Sequence, residues 1–343
     1  MNDAATPTFT APTLEEIRAA WTRIAPYVVR TPTHPWRTPA VEARFGTDNE
    51  FHLKLELFQR TGTFKARGAV NNALALDAEA RRRGITAISA GNHAIAAAYA
   101  ARCVGAHAKV VMMATANPAR VAAAKALGAE VLISPDGASG FAMVDEIVKN
   151  EGRTFIHPFE GPRVTEATAT CGLELHDQVR DLDAIVVPIG AGGLCSGIGT
   201  ATKIVNPRCK VYGVEPEATQ VMTKSLAAGS AQKVTTRKTI ADSLAPPMTT
   251  PYCFEMNRRA LEEVVLVSDD EMAAAAAILF AEMKLALEAA AAASTAAAFG
   301  PLRAKLAGKR VALVVCGANI DIDNLQQLVA RGQQALADGV LAA

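Results

Sequence analysis

Short apolar runs alternate with longer helix-like segments along most of this chain. From residue 84 onward, ITAIS, KVVMM and EVLIS each have the length and composition of a buried strand. The segments AIAAAYAARCVG and NPARVAAAKALGA stand between them and are long enough for helices. The same order returns later, where AIVVPIG, KVYGVEP and RVALVVCGAN resemble strands and GIGTATKIV resembles a helix. This alternation predicts βαβ units and an α/β fold built on parallel sheets.

An alanine-rich stretch, MAAAAAILFAEMKLALEAAAAASTAAAF, precedes the last of these strands. Low complexity is one interpretation of it. Alanine is the best helix former, however, and the larger apolar residues from Ile278 to Leu287 recur near helical spacing, so we predict packed helices. With 343 residues, the chain is long for a single core and suits two domains.

The carboxyl ends of parallel strands are where such sheets bind ligands. Here those ends carry unusual residues: SAGNH at 89–93, GAGGL at 190–194, Glu215–Pro216, and CGAN at 316–319. Lys65 lies near a fifth strand end, between the strand-like EFHLKLELF and the helix-like KARGAVNNALALDA. Taken alone, a lysine at such a junction is usually a solvated surface charge.

The GAGGL loop has the properties of a phosphate cradle. Small residues let backbone N–H groups approach an anion, and the N-terminus of the following helix adds a favourable dipole. A glycine loop also serves a tight strand-to-helix turn, so the loop alone does not decide the function. No Walker A lysine follows it, and the spacing is not that of a dinucleotide site.

Composition and charge argue against a nucleic-acid-binding protein and against a membrane protein. Half of the residues are hydrophobic and the net charge is +1, so the chain has no basic stripe for nucleic acid. No segment reaches the ~18 apolar residues of a membrane span, and the polar N-terminal segment lacks a signal-peptide core. The six cysteines are scattered without a C-x-x-C pair, which fits a reducing compartment. We therefore expect a cytoplasmic enzyme without a nucleic-acid or membrane partner.

The combination of a lysine, a phosphate loop and polar turns at strand ends is typical of a pyridoxal phosphate site. A lysine that forms a Schiff base must be partly deprotonated, and desolvation beside Phe64 and a helix N-terminus favours the neutral amine. The segments ELFQRTGTFKARGAVNNA, SAGNHA, VPIGAGGL, VYGVEPE, TIADSL and VVCGANID occur in this order. They resemble the serine/threonine dehydratases and serine racemases, which are fold-type II pyridoxal phosphate enzymes, from about Arg30 to about Asp323.

The resemblance implies the fold and the roles of individual residues. It implies a two-domain, tryptophan synthase β-like α/β fold with open parallel sheets and helices on both faces. Residues 1–83 and 156–343 would form the cofactor-binding domain, and residues 84–155 a small domain that closes on the substrate. The implied cofactor-binding residues are Phe64, Lys65, Asn92, Gly190, Ala191, Gly192, Gly193, Leu194 and Cys316. The implied substrate-binding residues are Ser89, Ala90, Gly91, Asn92 and His93. We also expect a homodimer or homotetramer.

The resemblance also implies a mechanism. Lys65 holds the cofactor aldehyde, is displaced by the substrate amine, and then removes the Cα proton as general base. The β-hydroxyl leaves, and the product hydrolyses to a 2-keto acid and ammonia. Cys316 would face the pyridine nitrogen, where a thiol stabilises a protonated ring less than a carboxylate does. The ring is then a weaker electron sink, which suits rapid loss of a β-leaving group.

Dehydration is favoured over racemisation by one residue. Racemases of this family have a serine immediately before G-N-H, and this chain has Ala90 there. A methyl group cannot donate the proton that racemisation needs on the opposite face of Cα. Water could replace that donor, so a serine racemase remains an alternative. The others are β-replacement of the cysteine synthase type and a non-enzymatic binding protein, against which the intact Lys65 weighs.

Several departures from the family pattern leave the substrate open. The segment 166–170 replaces G-Q-G-T, Ser243 replaces the glycine of A-D-G-L, and 288–292 reads EAAAA instead of E-P-x-x-G. We expect these positions on loops that line the substrate side, so a bulkier 3-hydroxy amino acid, such as phenylserine or hydroxyaspartate, joins threonine and serine as a candidate. Glu215 matches a cation-binding glutamate, but the aspartate expected six residues later is Val221. A divalent cation at Glu215 is therefore an open alternative that the sequence does not support. The chain also ends soon after the cofactor motifs, so a regulatory domain is not expected.

Overall fold

The computed structural model describes residues 9–235 and 238–343. The first eight residues, which belong to the segment expected to lack a signal-peptide core, lie outside the described residues. The strands are β1 (Thr33–Trp36), β2 (Glu50–Leu55), β3 (Ile85–Ser89), β4 (Ala108–Met113), β5 (Glu130–Ser134), β6 (Thr154–Phe155), β7 (Ala184–Pro188), β8 (Lys210–Pro216), β9 (Leu261–Val267) and β10 (Arg310–Val315).

The α-helices enclose these strands. They are α1 (Leu14–Ile24), α2 (Pro39–Phe45), α3 (Lys65–Leu74), α4 (Ala78–Arg83), α5 (Asn92–Cys103), α6 (Pro118–Ala126), α7 (Gly137–Glu151), α8 (Pro162–Gln178), α9 (Gly193–Val205), α10 (Val221–Ala228), α11 (Pro251–Ala260), α12 (Asp269–Met283), α13 (Ala289–Phe299), α14 (Arg303–Leu306) and α15 (Ile322–Ala337). In the described part of the chain, no helix is both long and apolar enough to cross a membrane.

The larger of two sheets has six strands in the order β1-β2-β10-β7-β8-β9. Strands β2, β10, β7, β8 and β9 are parallel to their neighbours, and β1 runs antiparallel to β2 at the edge. The parallel strands expected at β7, β8 and β10 are therefore present. The edge strands β1 and β9 were not predicted, and the last residues of EFHLKLELF form a 3-10 helix, Glu56–Phe58, instead of continuing β2.

The smaller sheet has four parallel strands in the order β5-β4-β3-β6 and is formed by residues 85–155. Its strands match the expected ITAIS, KVVMM and EVLIS runs. Helix α5 packs against β3 and β4, and α7 packs against all four strands. That residues 84–155 move as a separate small domain stays a prediction.

The alanine-rich stretch forms two packed helices, α12 and α13, as expected. Every residue of α13 is buried, and the helix packs against β7, β8, β9 and β10. Small alanine side chains let the helix approach the sheet closely, and Ser294 donates to the carbonyl oxygens of Val186 at 3.1 Å and Val314 at 3.2 Å. The core of the larger sheet thus consists of branched strand residues facing alanine, and it holds the ends of β7 and β10 in place.

Candidate active site

Lys65 is the first residue of α3 and is partly buried. The Nζ atom donates to the carbonyl oxygen of Pro158 at 2.7 Å and lies 5.0 Å from the centroid of the Phe64 ring. Burial lowers the pKa of this amine from 10.5 to about 8, against the opposing effect of nearby Cys253, Cys316 and Glu288. Part of the Lys65 population is therefore a neutral amine near pH 8, as a nucleophile for a carbonyl carbon must be.

The carboxyl end of β10 lies beside this lysine. The N–H of Phe64 donates to the carbonyl oxygen of Cys316 at 3.4 Å, and the N–H of Ala318 donates to that of Gly62 at 2.9 Å. Cys316 is buried, and burial raises the pKa of its thiol above the ordinary value. The thiol is therefore protonated and uncharged at neutral pH.

The GAGGL loop joins β7 to α9 and presents unpaired N–H groups. Within the described residues, the N–H groups of 190–194 donate to no protein acceptor. Gly192 has a φ of 105°, and a Cβ there would lie 2.5 Å from Nδ2 of Asn257, so this position requires glycine. Free N–H groups at the N-terminus of a helix form an anion site. The loop can hold a phosphate group.

Three residues that were not predicted from the sequence bind the backbone carbonyl oxygens of this loop. Thr249 Oγ1 donates to the carbonyl oxygen of Ala191 at 2.7 Å, and Cys253 Sγ donates to the same oxygen at 3.2 Å. Asn257 Nδ2 donates to the carbonyl oxygen of Gly192 at 3.1 Å. With these carbonyls occupied, the loop keeps its N–H groups for a ligand. Cys253 and Asn257 are four residues apart on α11, but that spacing alone does not reveal where the helix docks.

The SAGNH turn, residues 89–93, follows β3 and begins α5. Ser89 Oγ accepts from the N–H of Gly91 at 2.9 Å and from that of His93 at 3.3 Å, so this serine shapes the turn. His93 Nε2 lies 2.8 Å from the carbonyl oxygen of Ile156, which can only accept, so Nε2 carries the proton. Burial lowers the pKa of His93 to about 3, with a further contribution from Lys65. The imidazole of His93 is therefore uncharged at neutral pH.

Asn92 lies at the centre of a polar cluster that joins the two sheets. Its Nδ2 donates to Glu288 Oε1 at 2.9 Å, and its Oδ1 accepts from Asn319 Nδ2 at 2.9 Å. Glu288 also accepts from Arg120 Nη2 at 3.0 Å. Burial raises the pKa of Glu288 despite the neighbouring Arg120. The sequence analysis did not assign Arg120, because its partners are more than a hundred residues away along the chain.

The placement of the departures on substrate-side loops was wrong for two of them. Residues 289–292 lie in α13, where all four are buried. Residues 166–170 lie inside α8, not on a loop, and Thr168 Oγ1 donates to the carbonyl oxygen of Gly193 at 2.9 Å. They support the glycine loop from the protein interior, because α8 packs directly against α9. Ser243 lies on a 3-10 helix, and Glu288 is the residue before α13.

Glu215, the candidate cation ligand at the end of β8, is engaged by the start of α10. Its carboxylate accepts from the N–H of Met222 at 2.6 Å, and from the N–H and hydroxyl of Thr223 at 2.8 Å and 2.7 Å. Desolvation raises the pKa of Glu215, and these hydrogen bonds oppose that change. Among the described residues, no group of three or more His, Cys, Asp or Glu side chains is arranged to hold a metal ion.

A cofactor that carries an aldehyde and a phosphate fits these residues. Lys65 supplies the partly neutral amine, and the loop 190–194 supplies free N–H groups for the anion. Both lie at the carboxyl ends of strands of the same sheet. Fold and site together fit an enzyme that uses such a cofactor.

Comparison with known proteins identifies the family. The family described as "Pyridoxal-phosphate dependent enzyme" matches residues 24–317, and the chain belongs to it. The chain is 48% identical over 301 residues to phenylserine dehydratase of Ralstonia pickettii. The aligned region covers 88% of this chain and 89% of that protein. It is 37% identical to L-threonine ammonia-lyase of Thermotoga maritima, over 83% of this chain and 71% of that protein. The structure of maize serine racemase superposes with a TM-score of 0.85 at 31% identity, covering 94% of this chain and 99% of that chain.

These findings confirm the predicted family, the α/β fold and the cofactor, pyridoxal phosphate. The match includes residues 30–317 of the stretch on which the resemblance was based, and it ends six residues before Asp323. The roles of individual side chains toward the cofactor and the substrate stay predictions. Their positions in the structure support the proposals that follow.

Proposed function

We propose that this enzyme removes water from a 3-hydroxy amino acid and releases a 2-keto acid and ammonia. The observation that carries the proposal is Lys65, a partly buried lysine with a lowered pKa beside the cofactor-binding strand ends. The similarity to a phenylserine dehydratase and a threonine ammonia-lyase supports elimination as the reaction. When bound, pyridoxal phosphate withdraws electrons from the substrate Cα.

The side chains of this chain would do the remaining work. Residues 190–194 would bind the phosphate through backbone N–H groups, and Phe64 would pack beside the cofactor. Lys65 would anchor the aldehyde, and its Nζ would take the proton from Cα. Asn92 would bind the ring hydroxyl, and the SAGNH turn would bind the substrate carboxylate. Cys316 would supply an uncharged thiol to the ring nitrogen, and a thiol stabilises a protonated ring less than a carboxylate does, which would favour rapid loss of the β-substituent.

The proposed substrate is a 3-hydroxy amino acid with an aromatic side chain, ahead of threonine and serine. The 48% identity to a phenylserine dehydratase supports this order. Ala90 offers no proton donor, which supports elimination over racemisation.

Initial rates with several substrates test this proposal. We expect the reconstituted enzyme to form keto acid from threo-phenylserine faster than from L-threonine or L-serine, each compared by kcat/KM. O-acetylserine with sulfide is the control for β-replacement. Formation of cysteine in that tube, without keto acid from any hydroxy amino acid, would contradict the proposal.

Cofactor uptake should depend on pH through Lys65. Only the neutral amine reacts with an aldehyde, and burial lowers the pKa of Lys65 to about 8. The uptake rate of the apoprotein should therefore rise with pH and reach half of its maximum near pH 8, as followed by absorbance. Lys125→Ala, which removes an exposed lysine of α6, should show the same profile. A midpoint near the ordinary lysine pKa of about 10.4 would contradict the assignment.

Removal of divalent cations should leave the activity unchanged. Both carboxylate oxygens of Glu215 already accept hydrogen bonds from the first turn of α10. The N-terminus of that helix supplies the positive potential that a cation would provide. Keto acid formation measured before and after EDTA treatment checks this. Loss of activity that Mg²⁺ restores would contradict this prediction.

The proposal extends to motion, assembly and location. Residues 84–155 would close on the substrate as a small domain and expel water. The enzyme would act as a homodimer or homotetramer in the cytoplasm, where its six cysteines, all free in the structure, remain reduced. Size-exclusion chromatography with light scattering measures the assembly.

A further inference from the structure

Arg120 lies on α6, which belongs to the part of the chain that forms the smaller sheet. Its side chain contacts three segments of the part that forms the larger sheet. Its guanidinium donates to the carbonyl oxygen of Asn319 from Nε at 2.8 Å, to Asp242 Oδ2 from Nη1 at 2.6 Å and to Glu288 Oε2 from Nη2 at 3.0 Å. All these acceptors lie outside residues 84–155. Only 7% of Arg120 is exposed. We call this arrangement the Arg120 clamp.

The clamp lies directly on the SAGNH turn. A Cβ at Gly91 would overlap Cδ of Arg120 and lie within 3.2 Å of its Nε, so the arginine stem covers this residue without a gap. Asn92 of the same turn donates to Glu288, the carboxylate that Arg120 also binds. Arg120 therefore packs on the turn at Gly91, and Asn92 of the turn and Arg120 both bind Glu288.

The hydrogen bonds that Arg120 forms differ in how far they are buried. Glu288 is 4% exposed, so separating it from Arg120 would leave a buried carboxylate without its cation. The side chain of Asp242 is 50% exposed, and water can replace Arg120 there at little cost. A second contact from the same helix, Asn117 Nδ2 to the Asp321 carboxylate, lies at the start of α6. The hydrogen bonds from Arg120 to Glu288 and to Asn319 are therefore harder to break than the bond to Asp242.

We propose that Arg120 is a positioning residue: it pins the SAGNH turn against the loops at 242, 288 and 319, so that the turn faces Lys65 and can bind the substrate carboxylate. A planar guanidinium suits this task because its donors point in fixed, different directions. An ammonium group is a single point of charge and cannot reach all three loops. The inference rests on the proposed function only in taking an amino acid as the ligand of the turn.

Amino-acid binding to the cofactor-loaded protein tests the clamp without any elimination. The probe is L-alanine, which has no leaving group, and the readout is the absorbance change of the bound cofactor on titration. We expect Arg120→Ala to raise the Kd for L-alanine at least about tenfold, since a buried charge-assisted bond is lost. The Kd for pyridoxal phosphate should stay within about threefold, because the phosphate loop 190–194 does not touch Arg120.

Three further variants separate geometry from charge and from folding. Arg120→Lys should recover only a minor part of the lost affinity, and Asp242→Asn should change it little, because that contact is half-exposed. Arg102→Ala, which removes an exposed arginine of α5, should behave as the unchanged protein. Thermal unfolding of the loaded proteins shows whether each variant folds.

The outcomes are distinguishable. An Arg120→Ala protein that binds L-alanine as tightly as the unchanged protein would overturn the clamp, and so would full recovery by lysine. Equal losses of L-alanine and cofactor affinity would also overturn it, because they indicate a general structural role. If the unchanged protein binds L-alanine but forms no keto acid from hydroxy amino acids, the proposed function fails and the clamp is still tested.

Discussion

Replacing Lys65 by alanine is expected to lower keto acid formation by about a thousandfold or more, the loss typical of removing a general base. Two functions disappear together, because the same Nζ anchors the aldehyde and moves the Cα proton. The lowered pKa and the bond to Pro158 distinguish this nitrogen from that of a surface lysine. Rates of keto acid formation at saturating cofactor measure the effect.

The matched control is Lys125→Ala, an exposed lysine on α6, which should keep the full rate. A second readout locates the attachment directly. After borohydride reduction of the loaded protein, mass spectrometry should find the cofactor on the peptide that contains Lys65. Cofactor on another lysine, or an alanine variant that retains activity, would refute the assignment of this residue.

Replacing Arg67 by alanine is expected to lower the free energy of unfolding by about 3–5 kcal/mol, the usual cost of breaking a buried ion pair from one side. Arg67 is fully buried on α3, two residues after Lys65. Its guanidinium binds Glu56 at 2.8 and 2.9 Å and Glu174 at 2.7 and 2.8 Å. Lys54, also fully buried, binds Glu174 at 2.8 Å.

The loss of unfolding free energy is large because Arg67→Ala leaves buried carboxylates without their cation. Two buried carboxylates would then share one lysine, and neither could reach water. Burial raises the pKa of Glu56, but Arg67, Lys54 and Thr31 together outweigh that effect and hold the pKa below its ordinary value. Without Arg67, Glu56 would have to take up a proton or disrupt the core around it.

Denaturant unfolding of the cofactor-loaded protein measures the prediction, with Arg258→Ala as control. Arg258 pairs with Glu255 on the exposed face of α11, where water replaces the partner, so its loss should leave stability nearly unchanged. An Arg67→Ala protein as stable as this control would show that the buried network does not hold α3. Because α3 begins at Lys65, the same variant should also bind the cofactor more weakly.

The predictable parts of this protein are those encoded in short contiguous stretches. Strands β3, β4, β5, β7, β8 and β10 were recognisable from their apolar runs. The SAGNH turn and the GAGGL loop each place their functional backbone groups within five consecutive residues. Lys65 was proposed from the sequence because the surrounding segment and the later motifs occur in the order of a known family.

The remaining features depend on contacts between distant segments. Strand β1 pairs antiparallel with β2 at an edge, where little hydrophobic burial marks it. Thr249, Cys253 and Asn257 support the glycine loop only because α11 docks behind it. The Arg120 clamp joins residues 120, 242, 288 and 319, whose sequence separations give no local signal. The segment 166–170 has polar, loop-like threonines, yet it is buried in α8, where their hydroxyls bond to helix and loop carbonyls.

Product analysis of one reaction tests the central claim most directly. The cofactor-loaded enzyme is incubated with threo-phenylserine and, in a separate tube, with L-serine, and keto acid, ammonia and the enantiomers of serine are quantified. Elimination predicts keto acid and ammonia in equal amounts from both substrates, with no D-serine. Accumulation of D-serine without matching keto acid would contradict the account, because it would require a proton donor at the face where Ala90 stands.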